Sequence, residues 1–137
     1  MVSIIRTRLE DGTASQTNGT DTIWVDDRLN SIQLLCAITH ELIHIERGHT
    51  CRQTEQVEMA VRYETAIRLI PDNGQSGCKP GATLAAIAKA WGVTRQVLMD
   101  RAATLDDEQV ERAGCRYCQK CPVMAARFAG TKQRQAA

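Results

Sequence analysis

The sequence lacks the features that mark several protein classes. Its charges nearly cancel, with 17 Lys and Arg against 16 Asp and Glu, so no overall charge favours nucleic acid or a membrane surface as a partner. No apolar run approaches the length of a membrane span, and the first residues contain no apolar core of signal-peptide length. We therefore expect a cytoplasmic protein that does not enter a membrane.

The chain is also too short for much more than one core. Its 137 residues suit a single compact domain, which we predict over residues 1–113. A Cys-rich segment over 114–125 and a flexible tail over 126–137 are predicted to follow. The tail carries Arg127, Lys132 and Arg134 with no acidic residue after Glu111, and we interpret it as a frayed end rather than as a nucleic-acid-binding arm.

Six cysteines in a reducing compartment favour metal ligands and buried thiols over disulfides. Cys115, Cys118 and Cys121 follow one another at three-residue intervals, and Cys78 could supply a fourth thiolate. We predict a second, structural Zn²⁺ here. An iron–sulfur site, for which the run lacks a fourth cysteine, a disulfide under oxidising conditions and unpaired thiols are the alternatives.

Hydrophobic patterning predicts a mainly helical α+β fold. Short strands over residues 3–8 and 22–25, separated by the polar loop 11–21 with a turn at Asn18 and Gly19, favour a small N-terminal antiparallel sheet. Asn30 and Gln33 are typical of a capping box at the start of a helix that Gly48 would end, and this helix should be the central buried element, with Cys36 in its core. Further helices are predicted over 54–70, 83–91, 94–103 and 106–112.

All three histidines lie within ten residues, and His40 and His44 flank Glu41 in the pattern H-E-x-x-H. Residues i and i+4 of a helix lie on the same face, so His40 and His44 can bind one metal ion. Glu41 lies beside them, where it can reach a water without being a ligand. This is the arrangement of zinc hydrolases, and the motif falls where a helix is independently expected.

A catalytic zinc usually takes three protein ligands. A carboxylate from the following helix is the usual third, which makes Glu58 the preferred candidate and Glu64 an alternative, although both also form i,i+4 pairs with arginines. His49 is a further alternative, displaced by one residue from the register of H-E-x-x-H-x-x-G-x-x-H. His49 and Tyr63 are candidate donors to a transition state.

Two segments together resemble a known family. Residues 35–49, which contain the H-E-x-x-H motif, and residues 58–71, which end in Leu-Ile-Pro, resemble the ImmA/IrrE metallopeptidases, most of all their short actinobacterial and actinophage members. The resemblance extends over residues 23–105. It implies a gluzincin-like fold with His40 and His44 as zinc ligands, Glu41 as the catalytic acid and base, and a protein substrate such as a repressor.

The segment over residues 83–103 has the spacing of a helix-turn-helix with Gly92 at its turn. Thr94, Arg95 and Gln96 would then open a recognition helix. The same pattern describes any tight helical hairpin. The alternative to a peptidase is accordingly a non-catalytic regulator that binds DNA or a repressor through this hairpin or through the peptidase-like domain.

Overall fold

The computed structural model of the chain describes residues 1–71, 83–106 and 108. It divides into two compact units, Met1–Thr65 and Ala66–Ala137. The described residues form β1 (Ser3–Thr7), β2 (Ser15–Thr17), β3 (Thr22–Asp26), α1 (Ser31–Glu46), α2 (Glu55–Leu69), α3 (Leu84–Trp91) and α4 (Arg95–Ala103). This is the predicted α+β composition with a small sheet. None of these helices combines the length and the apolar composition that crossing a membrane requires.

The sheet is mixed, and the prediction of an antiparallel sheet was wrong for its two apolar strands. β3 is central, with β1 parallel on one side and β2 antiparallel on the other. The polar segment predicted as a loop contains β2, whose residues Ser-Gln-Thr carry no hydrophobic signal. β2 takes the hairpin position beside β3, which leaves the opposite edge of β3 for β1, and β1 runs parallel to β3 there.

The predicted turn between β2 and β3 is present and depends on Gly19. Gly19 is buried and has a φ of 76°, in the left-handed region where glycine has no steric penalty. A Cβ atom at this position would lie 2.2 Å from the carbonyl oxygen of His49. The turn therefore packs directly against the backbone that follows α1.

Helix α1 begins as the sequence predicts. The Asn30 side chain accepts a hydrogen bond from the Gln33 amide at 2.8 Å, and the Gln33 side chain accepts one from the Asn30 amide at 3.0 Å, which completes the capping box. Cys36 is 7% exposed, as expected. The helix packs against β2 and β3, and β3 contributes Ile23 and Val25 to the core.

Asp26 at the end of β3 connects the sheet to the segment between β1 and β2. Its carboxylate, 4% exposed, accepts hydrogen bonds from Arg28, which also donates to Asp11 and to the Leu9 carbonyl. These hydrogen bonds hold the pKa of Asp26 well below its usual range and raise the pKa of Arg28. Arg28 thus holds Leu9 and Asp11, which immediately precede the segment 12–17, beside the end of β3.

The described part of the second unit contains the predicted helical hairpin. Thr83 and Thr94 cap α3 and α4, and Gly92 ends α3 with a φ of 71°. Val93 and Leu98 are 4% and 1% exposed, so both side chains point inward. The predicted helical hairpin is therefore confirmed as a structure.

Candidate metal centre

His40 and His44 face one another across one turn of α1. Their Nε2 atoms are 3.2 Å apart and their ring centroids 4.9 Å apart. His44 is 5% exposed, and His40 is half-buried. The i,i+4 spacing in a regular helix produces this approach without any distortion of the backbone.

Glu58, in the first turn of α2, completes a triangle with the two histidines. Its Oε2 atom lies 3.3 Å from the Nε2 atom of His40 and 3.2 Å from that of His44. Each of these atoms offers a lone pair to a cation when both imidazoles carry their proton on Nδ1. The structure thus brings together the three residues that the sequence favoured as metal ligands.

The size of this triangle fits a zinc ion. Atoms about 2.0–2.1 Å from a tetrahedral zinc lie about 3.3–3.4 Å from one another, and the three distances between His40, His44 and Glu58 are 3.2, 3.2 and 3.3 Å. Two imidazoles and one carboxylate are also ligands that zinc accepts. The three residues form a group that can hold a metal ion.

The burial of His40 favours the protonation state in which it can bind a metal ion. Removal from water lowers the pKa of His40, and the nearby His44 ring acts in the same direction, while Glu41 and Glu58 oppose it. A metal ion binds the neutral imidazole, so the lowered pKa favours the form that can act as a ligand.

Glu41 lies beside the triangle, and a residue of the sheet holds its side chain in place. It is 6% exposed, and its Oε1 atom accepts a hydrogen bond from the Ser15 hydroxyl at 2.8 Å. Ser15 pairs with the buried Val25 across the two strands, and opposite residues of an antiparallel pair project to the same face. Ser15 was missed in the sequence because its strand contains only polar residues.

Neither of the alternative ligands, Glu64 and His49, belongs to the triangle. The Glu64 carboxylate is paired with the guanidinium of Arg47. The Nδ1 atom of His49 lies 2.9 Å from the Nδ1 atom of His44, on the side of that ring opposite Nε2. Tyr63, a candidate transition-state donor, is not among the described residues that line the cavity beside the triangle.

This cavity has a volume of about 600 Å³. It is bordered by the segment 12–17, which includes all of β2, by the loop 49–52, and by His40, Glu41, His44 and Glu58. Arg52 and Cys51 are exposed at this border. The candidate ligands are therefore accessible from a space large enough for several residues of a peptide.

Some predictions lie outside the described residues. These are the cysteine cluster of Cys78, Cys115, Cys118 and Cys121, the boundaries at 113 and 125, the tail, and most of the short helix over 106–112. Comparison of the chain with protein-family models, with curated proteins and with solved structures gave no match.

Proposed function

We propose that the protein is a zinc-dependent peptidase that hydrolyses a protein substrate. The observation that carries the proposal is the triangle of ligand atoms from His40, His44 and Glu58, which has the dimensions of a zinc site. Glu41 lies next to this triangle and is not one of its three residues. The resemblance of residues 35–49 and 58–71 to the ImmA/IrrE family supports the same proposal and suggests a repressor as the substrate.

The residues of the site supply what peptide hydrolysis needs. A zinc ion held by His40, His44 and Glu58 would lower the pKa of a water and would polarise the carbonyl of the scissile bond. Glu41 takes a proton from the attacking water and returns it to the departing amine. The hydrogen bond from the Ser15 hydroxyl to Oε1 would orient the Glu41 carboxylate for this task.

The edge of β2 offers a surface for an extended peptide. Ala14 accepts a hydrogen bond from the Asp26 amide, and the Asn18 amide donates to Thr22, so these backbone groups point towards β3. Hydrogen-bonded and non-hydrogen-bonded positions alternate along an antiparallel pair. The backbone groups of Ser15 and Thr17 therefore point away from β3. Both residues line the cavity, where a substrate could add as a further strand.

DNA binding by the hairpin has less support. The first turn of α4 contains Arg95 and Gln96, whose side chains would face base edges. The side-chain amide of Gln96, however, donates a hydrogen bond to Asp100 at 2.9 Å. Lys89 and Arg95 are the exposed cations of α3 and α4, and stable DNA binding usually needs more phosphate contacts than two. The regulator hypothesis remains a prediction.

The Glu41→Gln variant tests the proposal. The amide keeps the size of the side chain but cannot accept a proton, so we expect hydrolysis to fall by about 10²–10⁴-fold while zinc binding persists. Cleavage of fluorescently labelled unfolded casein and of candidate repressors is measured with and without a chelator. Chelator-sensitive cleavage by the wild type and equal cleavage by the variant would refute the role of Glu41.

A further inference from the structure

We propose that His49 is a positioning residue for the metal centre, which accepts a hydrogen bond from His44 and so presents the Nε2 atom of His44 to the ion. This inference rests on the proposed zinc site and adds a residue that is not a ligand. The two Nδ1 atoms lie 2.9 Å apart, with ring centroids 5.2 Å apart. His44 is 5% exposed, so its ring has little room to turn away.

The local sequence dictates this contact. The Gly48 amide donates to the Ile45 carbonyl at 3.0 Å, and the His49 amide donates to the His44 carbonyl at 3.0 Å. Gly48 has a φ of 68°, which completes a Schellman motif at the end of α1. In this motif the side chains at the positions of His44 and His49 meet, usually as an apolar contact, and here as two imidazoles.

A second element holds His49 in place. The turn between β2 and β3 approaches the His49 backbone so closely that only glycine fits at position 19. His49 is therefore fixed from α1 through its amide and from the sheet through its carbonyl region.

Metal binding determines which nitrogen of each ring carries the proton. When the Nε2 lone pair of His44 binds the ion, the proton of that neutral ring resides on Nδ1, which then donates. The Nδ1 atom of His49 must accept this hydrogen bond, so His49 carries its own proton on Nε2. Carboxylates and carbonyls usually serve as the partner of a ligating histidine, whereas His49 does so without adding negative charge.

Zinc affinity of the histidine site tests the proposal in the full-length protein. The ring resonances of His40 and His44 are followed by NMR in chelator-buffered zinc, which reports this site even if other residues bind metal. We expect His49→Ala to weaken zinc binding by about 10–100-fold, and His49→Asn, which retains an acceptor near the position of Nδ1, to restore part of the loss. Thr50→Ala is the control, because Thr50 lines the same cavity but is not part of the contact between His44 and His49. This variant should keep the zinc affinity within about twofold.

Ring nitrogen spectra provide a readout that a merely structural role would not produce. In the zinc-loaded wild type we expect the Nδ1–H form of His44 and the Nε2–H form of His49. An unchanged zinc affinity in folded His49→Ala, or the Nδ1–H form of His49, would overturn the positioning role and leave the zinc site intact. A wild type whose histidine resonances do not respond to zinc would overturn both the site and this inference.

Discussion

At the scale of the residue, the contact between Ser15 and Glu41 decides how the proposed proton carrier is oriented. Glu41 follows His40 directly in the helix, so its backbone position is set by the same turn that places the ligands. The rotation of its carboxylate is not set by the helix. The Ser15 hydroxyl, 2.8 Å from Oε1, fixes that rotation from the neighbouring strand.

Replacement of Ser15 by Ala should therefore affect turnover more than metal binding. The loss of one hydrogen bond to a charged carboxylate corresponds to a fall in kcat of about tenfold. Zinc affinity should stay within about twofold, because the Ser15 hydroxyl bonds to Glu41 and not to a ligand. Steady-state kinetics and zinc titration of the same preparations check both statements.

Ser15→Thr is the matched variant, since it keeps a hydroxyl in a strand that tolerates β-branched residues. It should retain most of the activity. A Ser15→Ala protein with normal kcat, or with zinc affinity as weak as that of a ligand variant, would show that the contact does not orient Glu41.

The sequence could predict part of this site because the spacing within one helix determines a contact. His40, Glu41 and His44 follow from the helical repeat alone. Glu58 could be preferred to Glu64 but not assigned, since both pair plausibly with arginines on their own helix. Only the position of α2 beside α1 assigns Glu64 to Arg47 and Glu58 to the histidines.

At the scale of the element, the helices and the two apolar strands were predictable, whereas the polar strand β2 and the pairing of the strands were not. Asn30 caps α1 as the sequence indicates, and Thr83 and Thr94 cap α3 and α4 in the same way, because capping depends on residues a few positions apart. Strand pairing joins distant residues and has no comparable local signal when a strand is polar. The direction of β1 depended on recognising β2, so one missed strand changed the topology of the whole sheet.

The turn at Gly19 offers a prediction at this scale. Gly19→Ala should lower the free energy of unfolding by about 2–4 kcal/mol, since it combines an unfavourable φ with overlap against the His49 backbone. Denaturant unfolding of the metal-free protein measures this loss. The variant should also weaken zinc binding if the displaced backbone carries His49 away from His44.

Gly12→Ala is the control for the conformational part of this effect. Gly12 has a φ of 87°, but a Cβ atom added there would meet nothing within 4 Å. Its substitution should cost only about 1 kcal/mol. Equal losses in the two variants would mean that the close approach of the turn to His49 does not contribute to stability.

At the scale of the whole molecule, the candidate site belongs to one of the two units. Ser15, Glu41, His49 and the three candidate ligands all lie within Met1–Thr65. The near-zero net charge of the chain supplies no long-range attraction for a particular partner. Selection of a substrate would therefore depend on the cavity and on the edge of β2 rather than on the charge of the whole surface.

Zinc content per chain, measured by mass spectrometry after extensive dialysis, tests the central claim most directly. We expect His40→Ala and Glu58→Ala each to hold about one equivalent fewer than the wild type, whereas Glu64→Ala, which changes a carboxylate of the same helix outside the triangle, should match it. Comparison with the wild type cancels metal bound elsewhere in the chain. A His40→Ala protein that holds as much zinc as the wild type would contradict the account.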